Sequence, residues 1–201
     1  MATDLLDALD AEEIAAFRDM RERQAIMDCL QRYSRGVDRL DRDLVLSCYH
    51  PDATDDHGAF MGNPQEFVEW VFPLHHGGQL FTQHHLTNHS CEIDGKVAHT
   101  ETYYLFTARN RDETLWIAGG RYLDRLEKRS GEWKIATRYC TVEWSGMPPA
   151  TAVPFAEIDD VAANGVPGRE PLAVRLGHTT FALRRHEAAL IRVTPGAVGH
   201  G

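Results

Sequence analysis

The sequence predicts an α+β domain in which helices come first and an antiparallel meander follows. Three observations predict it. Residues 22–40 carry Ile26, Leu30, Tyr33 and Val37 at i, i+4, i+7 and i+11, the core-facing stripe of an amphipathic helix. Four long strand-like runs then follow one another, over 80–93, 96–110, 114–129 and 132–144. The links between them are short, Asp94-Gly95, Arg111-Asp112 and Ser130-Gly131, and Asp-Gly and Ser-Gly links of this kind join antiparallel hairpins. Helices grouped ahead of the strands cover one face of such a sheet.

The elements are justified in order. Residues 1–20 read as a helical lead-in, with Asp10, Glu12 and Glu13 where a helix N-terminus favours acids. The main helix ends near Asp38 and Leu40. A carboxylate in a last helical turn works against the helix dipole by about 0.3–1 kcal/mol, so Asp38 is marked as a residue with another purpose. A short helix over 43–49 is capped by Asp41 or Asp43. Residues 53–56 and 58–62 read as a short hairpin. Asn63 as N-cap with Pro64 behind it opens a helix to about Leu74, and His75-His76-Gly77-Gly78 ends it. After Trp144 the chain turns rich in Pro, Gly and Ala. The domain is therefore placed at 1–146, with 147–201 as an extension over the pocket mouth or a neighbouring subunit, in which 181–190 has the pattern of one helix.

Composition bounds the function. A chain of 201 residues, 43% hydrophobic and 25% charged, suits one soluble globular domain with an appendage. A net charge of −9 argues against nucleic acid and anionic membranes as partners. No apolar run approaches the ~20 residues of a membrane helix, and the start Met1-Ala2-Thr3-Asp4 lacks a basic region with an apolar stretch behind it. A cytoplasmic location is expected. Cys29, Cys48, Cys91 and Cys140 are scattered without a C-x-x-C pair and read as buried free thiols.

The stretch Thr82-Gln83-His84-His85-Leu86-Thr87-Asn88-His89 puts a histidine inside a strand. Imidazole is a base near neutral pH without help, and a carboxylate on its other nitrogen fixes the tautomer. Asp38 and His84 are therefore paired as orienter and base. Strand alternation puts Thr82, His84, Leu86 and Asn88 on one face, and Gln83, His85, Thr87 and His89 on the other unless a bulge intervenes. In the next strand His99, Glu101, Tyr103 and Leu105 share a face; beyond it Ala118 and Gly120 leave room for a ligand or allow sharp curvature. No H-x-H or H-E-x-x-H spacing and no Gly-rich phosphate loop occurs, so no metal and no cofactor are expected.

The segments RYSRGVDRLD, TQHHLTNHSCEIDGKVAHTETYY and GGRYLDRLEKRSGEWKIATRYCTVEW, in this order, resemble the SnoaL-like branch of the nuclear-transport-factor-2-like superfamily, of scytalone dehydratase or hexachlorocyclohexane dehydrochlorinase type. The resemblance covers about residues 15–145. It implies a cone, a strongly curved mixed sheet wrapped around helices with an apolar pocket at its wide end. It also implies catalytic roles for Asp38 and His84, with Arg138 either a basic group for a departing anion or developing oxyanion or half of a surface ion pair with an acid such as Glu143 or Asp124. Tyr103, Leu105 and Tyr122 fall on pocket-lining strand positions, His57 and Asp55 on the first hairpin, and Asn88 on the face of His84. Tyr33 stands where the dehydrochlorinase type has a lysine, and Thr107 and Tyr122 replace a histidine and an asparagine of the dehydratase type, so neither substrate transfers.

The function expected is a cofactor-independent lyase that eliminates water, halide or a small carbon fragment such as formaldehyde from a small cyclic or aromatic substrate. The alternatives are an isomerase with the same dyad and a non-catalytic ligand-binding or oxygenase small-subunit-like protein. A homodimer or homotrimer is implied by the resemblance.

Overall fold

The computed structural model describes residues 10–151, 172–176 and 179–183. The chain divides into two units, Met1–Ala150 and Thr151–Gly201.

In the first unit, helix α1 (Ala11–Arg39) is one continuous rod in which the expected lead-in and main helix are merged. Asp10 and Glu13 form a capping box at its start, and Leu40 closes it in a left-handed conformation. Its buried stripe includes Ile26, Leu30, Tyr33 and Val37. Helix α2 (Arg42–Ser47) is capped by Asp41. The two helices touch at Gly36, where an added Cβ would come within 2.7 Å of Val45 Cγ2. Strand β1 (Tyr49–Asp56) and the short β2 (Met61–Gly62) form the first hairpin. Helix α3 (Pro64–Gly78) has an Asn63–Glu66 capping box and runs four residues beyond the expected end, through His75, His76 and the two glycines.

Strands β3 (Gln79–Asp94), β4 (Val97–Asn110), β5 (Leu115–Arg129) and β6 (Glu132–Gly146) follow as an antiparallel meander. The six strands run β2-β1-β6-β5-β4-β3, with β1 parallel to β6. The helices pack on one face, and register shifts in β3, β5 and β6 mark where the ladder bends. This is the α+β cone. The core joins the α1 stripe to Phe67 and Val68 of α3 and to Tyr104, Phe106, Tyr122, Leu126 and Ile135 of the sheet. Arg23 to the Cys91 carbonyl (2.5 Å), and Glu22 to Lys128 and Trp133, pin the first half of α1 to the sheet.

In the second unit, β7 (Leu172–Leu176) and β8 (Thr179–Leu183) pair antiparallel. This corrects the expected helix over 181–190 for Phe181–Leu183. Thr179, Thr180 and Phe181 are β-branched or aromatic residues that favour a pleated strand. The rest of that segment lies outside the described residues.

Candidate active site

Asp38 stands in the last turn of α1, where it crosses β3. Its Oδ1 accepts a hydrogen bond from Thr82 Oγ1 (2.9 Å) and lies 2.6 Å from His84 Nδ1, while its Oδ2 accepts from the His84 backbone N–H (2.9 Å). One carboxylate thus fixes both the backbone and the ring of His84. Burial alone would raise the Asp38 pKa; the bonds from His84 and Thr82 outweigh it and hold the carboxyl below its ordinary value. The anion is therefore the acceptor of the Nδ1–H hydrogen bond, and the Nε2 edge of the His84 ring is directed away from it. The ring rests 4.9 Å from Phe106 and edge-on to His75 at 6.4 Å, with 9% of the side chain exposed. His75 is fixed by Gln79 (2.9 Å), and burial lowers its pKa.

A second carboxylate–imidazole pair stands at the end of β1. Asp55 is wholly buried and accepts hydrogen bonds from the Tyr49 hydroxyl and from His57 Nδ1. The His57 ring stacks on Phe67 at 4.6 Å, and its Nε2 lies 3.4 Å from the Tyr33 hydroxyl. Burial opposes the charged ring, but hydrogen bonds to Asp55 and Cys140 prevail and push the His57 pKa up to about 9. An aromatic wall runs from one pair to the other: His84 against Phe106, Tyr104 one pleat along β4, Tyr122 stacked on Tyr104 at 4.6 Å, then His57 at 6.4 Å.

Arg138 lies fully inside. It makes a bidentate pair with Asp124 (both bonds 2.7 Å), and its guanidinium is sandwiched between the rings of Tyr33 (4.0 Å) and Tyr122 (4.1 Å). Burial would lower its pKa, but Asp124 holds it well above the ordinary value. Its Nη1 has no partner among the described residues. Arg138 thus sits behind the aromatic wall and places Tyr33 and Tyr122.

Three expected positions fall elsewhere. Tyr103 and Leu105 stand on the outer face, because the buried face of β4 is Ala98, Thr100, Thr102, Tyr104, Phe106 and Ala108; Tyr103 is 39% exposed, beside Arg121. Asn88 is exposed because Leu86 pairs with Tyr104 and His89 with Thr102, which leaves Thr87 and Asn88 together as a bulge opposite one residue of β4. That bulge turns His89 inward, with its Nδ1 2.8 Å from Thr102 Oγ1. Tyr122 does face the helices, fully buried. His75, Phe106 and Tyr104 were not singled out from the sequence. The signal for His75 was its place eight residues after Phe67, on one face of a helix that the sequence reading ended too early. A separate groove of about 460 Å³, bordered by His99, Glu101, Leu123, Arg125 and Tyr139, contains neither Asp38 nor His84. Among the described residues no group of three or more His, Cys, Asp or Glu side chains has the geometry to hold a metal ion, and no helix is long and apolar enough to cross a membrane.

The helices and the curved six-stranded sheet that hold this pair make a cone-shaped α+β fold of the nuclear-transport-factor-2-like kind. Residues 18–139 match the model of the SnoaL-like domain, and the chain belongs to that family. No curated protein sequence matches it. Among solved structures it is similar to a hexachlorocyclohexane dehydrochlorinase (LinA) of type 2, with a TM-score of 0.63 and 17% identity over 69% of this chain and 98% of that one. It is similar to the type-3 LinA of Novosphingobium barchaimii, with a TM-score of 0.59 and 18% identity over 70% and 97%. A protein of Novosphingobium aromaticivorans described as a candidate scytalone dehydratase gives 0.57 and 18% over 68% and 96%. At these identities the likeness is one of fold.

Proposed function

We propose that the protein is a cofactor-independent lyase in which His84, oriented by Asp38, removes a proton from a small cyclic or aromatic substrate while a leaving group departs. The observation that carries this reading is the three-point hold of Asp38 on β3. A structural histidine needs one hydrogen bond; this one has its tautomer, its ring plane and its own backbone set by a single buried anion. The bare Nε2 lone pair beside Phe106 and His75 is what a general base requires. The aromatic lining from Phe106 to Tyr122 suits an apolar ring, and the names of the structural neighbours, dehydrochlorinase and candidate dehydratase, agree with elimination chemistry.

The test is a panel of cyclic and aromatic alcohols and halides, followed by the absorbance of the new double bond, with His84→Ala and Asp38→Asn as controls. Turnover lost in both variants supports the dyad. Turnover that survives His84→Ala refutes it. Deuterium from solvent appearing in an otherwise isomeric product assigns an isomerase instead.

The proposal extends to assembly. Tyr103, Leu105, Leu123 and Tyr139 make the outer sheet face partly apolar, and Tyr139 is 54% exposed. That face suits self-association into a dimer or trimer.

A further inference from the structure

We propose that His57, held as an imidazolium by Asp55 and Tyr49, is the general acid opposite His84, and that the group it serves is an oxygen leaving group rather than a halide. This rests on the lyase reading and decides what it leaves open.

The charge state follows from the partners of Asp55. That carboxylate is wholly buried, and its hydrogen-bond donors are the Tyr49 hydroxyl and His57 Nδ1. Arg138 is its neighbour in the β1–β6 register but gives both its paired nitrogens to Asp124. A buried carboxylate without a cation is costly, and His57 is the cation that touches this one. The other groups facing the ring agree: Tyr33 from α1, Phe67 and Trp70 from α3 and Tyr122 from β5 bring it no charge, so Asp55, with the hydrogen bond to Cys140 of β6 beside it, holds the proton on the ring.

The position follows from α3. His57 rests on Phe67 and His84 on His75, and Phe67 and His75 are eight residues apart on one helix. That is about 12 Å of helix. The aromatic wall of Phe106, Tyr104 and Tyr122 joins the same two places on the sheet side, so the two imidazoles stand at opposite ends of one apolar surface.

The chemistry then selects the leaving group. A halide departs as a stable anion and needs no proton; hydroxide needs one. In the step proposed, His84 Nε2 takes a proton from carbon and the C–H electron pair becomes the new π bond. The C–O bond breaks, and its pair takes the proton from His57 Nε2. The products are the unsaturated compound and water. His84 leaves the step charged and His57 neutral, and solvent returns both to their starting states.

The experiment uses the full chain with a matched pair of substrates, 3-hydroxycyclohexanone and 3-chlorocyclohexanone, or the hydroxy and halo members of whichever pair the panel finds turned over, read by enone absorbance. His57→Gln is expected to lower kcat on the hydroxy compound about 10²–10⁴-fold, at least tenfold more than on the chloro compound. His84→Ala lowers both alike. Asp55→Asn repeats the His57→Gln pattern if His57→Gln does not fold. Separately, imidazole nitrogen NMR of the wild-type protein at pH 7.5 is expected to show His57 protonated on both nitrogens. Equal losses on both leaving groups, or a neutral His57 ring, overturn the acid role and leave the dyad standing. A wild-type protein that eliminates neither member of any pair overturns the lyase reading and this role with it.

Discussion

Replacing Asp124 with leucine removes the carboxylate that answers a guanidinium with no solvent exposure and leaves the shape of the site nearly intact. Arg138 then keeps its two tyrosine faces but loses both charge-assisted hydrogen bonds, with Nη1 already unpartnered. Breaking one side of such a buried pair costs about 3–5 kcal/mol. In a cooperative unit the size of residues 1–150, each kcal/mol moves Tm by about 2–4 °C, so the midpoint should fall by roughly 10 °C. Removing both partners, as Asp124→Leu with Arg138→Met, leaves no orphaned charge and should recover part of that loss. The recovery should be incomplete, because the cation–π contacts with Tyr33 and Tyr122 are gone, at about 1–2 kcal/mol each. Urea unfolding followed by tryptophan fluorescence on the wild type, both single variants and the double variant closes the cycle. A cost below about 1 kcal/mol for Asp124→Leu, or a double variant no better than the worse single, would refute the claim that Arg138 is held as part of the framework.

Asp38→Asn should keep the fold and lower turnover about 10²–10⁴-fold, because the amide presents a donor where His84 Nδ1–H needs an acceptor; steady-state kinetics and a crystal structure check both halves. The His57 pKa, raised from about 6.5 to about 9, contributes stability that is complete below pH 6.5 and lost as pH rises through 9, about 3 kcal/mol in all; the gap between wild type and His57→Gln in urea titrations should close over that window. The lowered Asp38 pKa contributes in the opposite sense: its share is present above about pH 4 and lost as pH falls through the folded value, so Asp38→Asn should flatten the acid side of the stability profile. Gly120→Ala would bring a Cβ to 1.8 Å from the Thr141 carbonyl oxygen, too close for any side chain to relieve, and should cost about 1–3 kcal/mol in a thermal melt. Tyr139→Glu should shift the wild-type assembly to monomer in light scattering if the outer face is the contact.

Much of the fold was legible because its signals are local. The stripe on α1, the Asn63 cap and the Asp-Gly and Ser-Gly turns each act within a few residues, and Gly95, Ser130 and Gly131 do adopt positive φ. Asp38 and His84 were legible because each broke a local expectation, an acid at a helix C-terminus and an imidazole within a strand. The face of Tyr103 and Leu105 was not, because alternation gives two faces without saying which one the helices cover; that is set by β3–β4 pairing and by α1 lying across it. The Thr87–Asn88 bulge left no local mark, since neither residue is a glycine. For Arg138 the ion pair with Asp124 was one of two open readings, and its burial was not legible, because only the β5–β6 register and the tyrosines around it enclose the pair.

The bulge at Thr87 and Asn88 behaves like a spacer in a reading frame. Residues before it are read inward on even numbers and residues after it on odd, so the half of β3 that meets Asp38 and the half beyond the bulge keep separate phases. A single deletion there would remove the bulge and leave one outward residue between Leu86 and His89, with the same side chains inward; deleting both would set two inward residues side by side, so that either Ser90 and Glu92 would turn into the core, or Gln83 and His85 would replace Thr82 and His84 opposite Asp38. Substitutions at 87 and 88, and the loss of one of them, should therefore be mild, and the loss of both severe. For anyone redesigning this strand, an outward spacer between Leu86 and His89 is the setting to preserve, and its composition is free to vary.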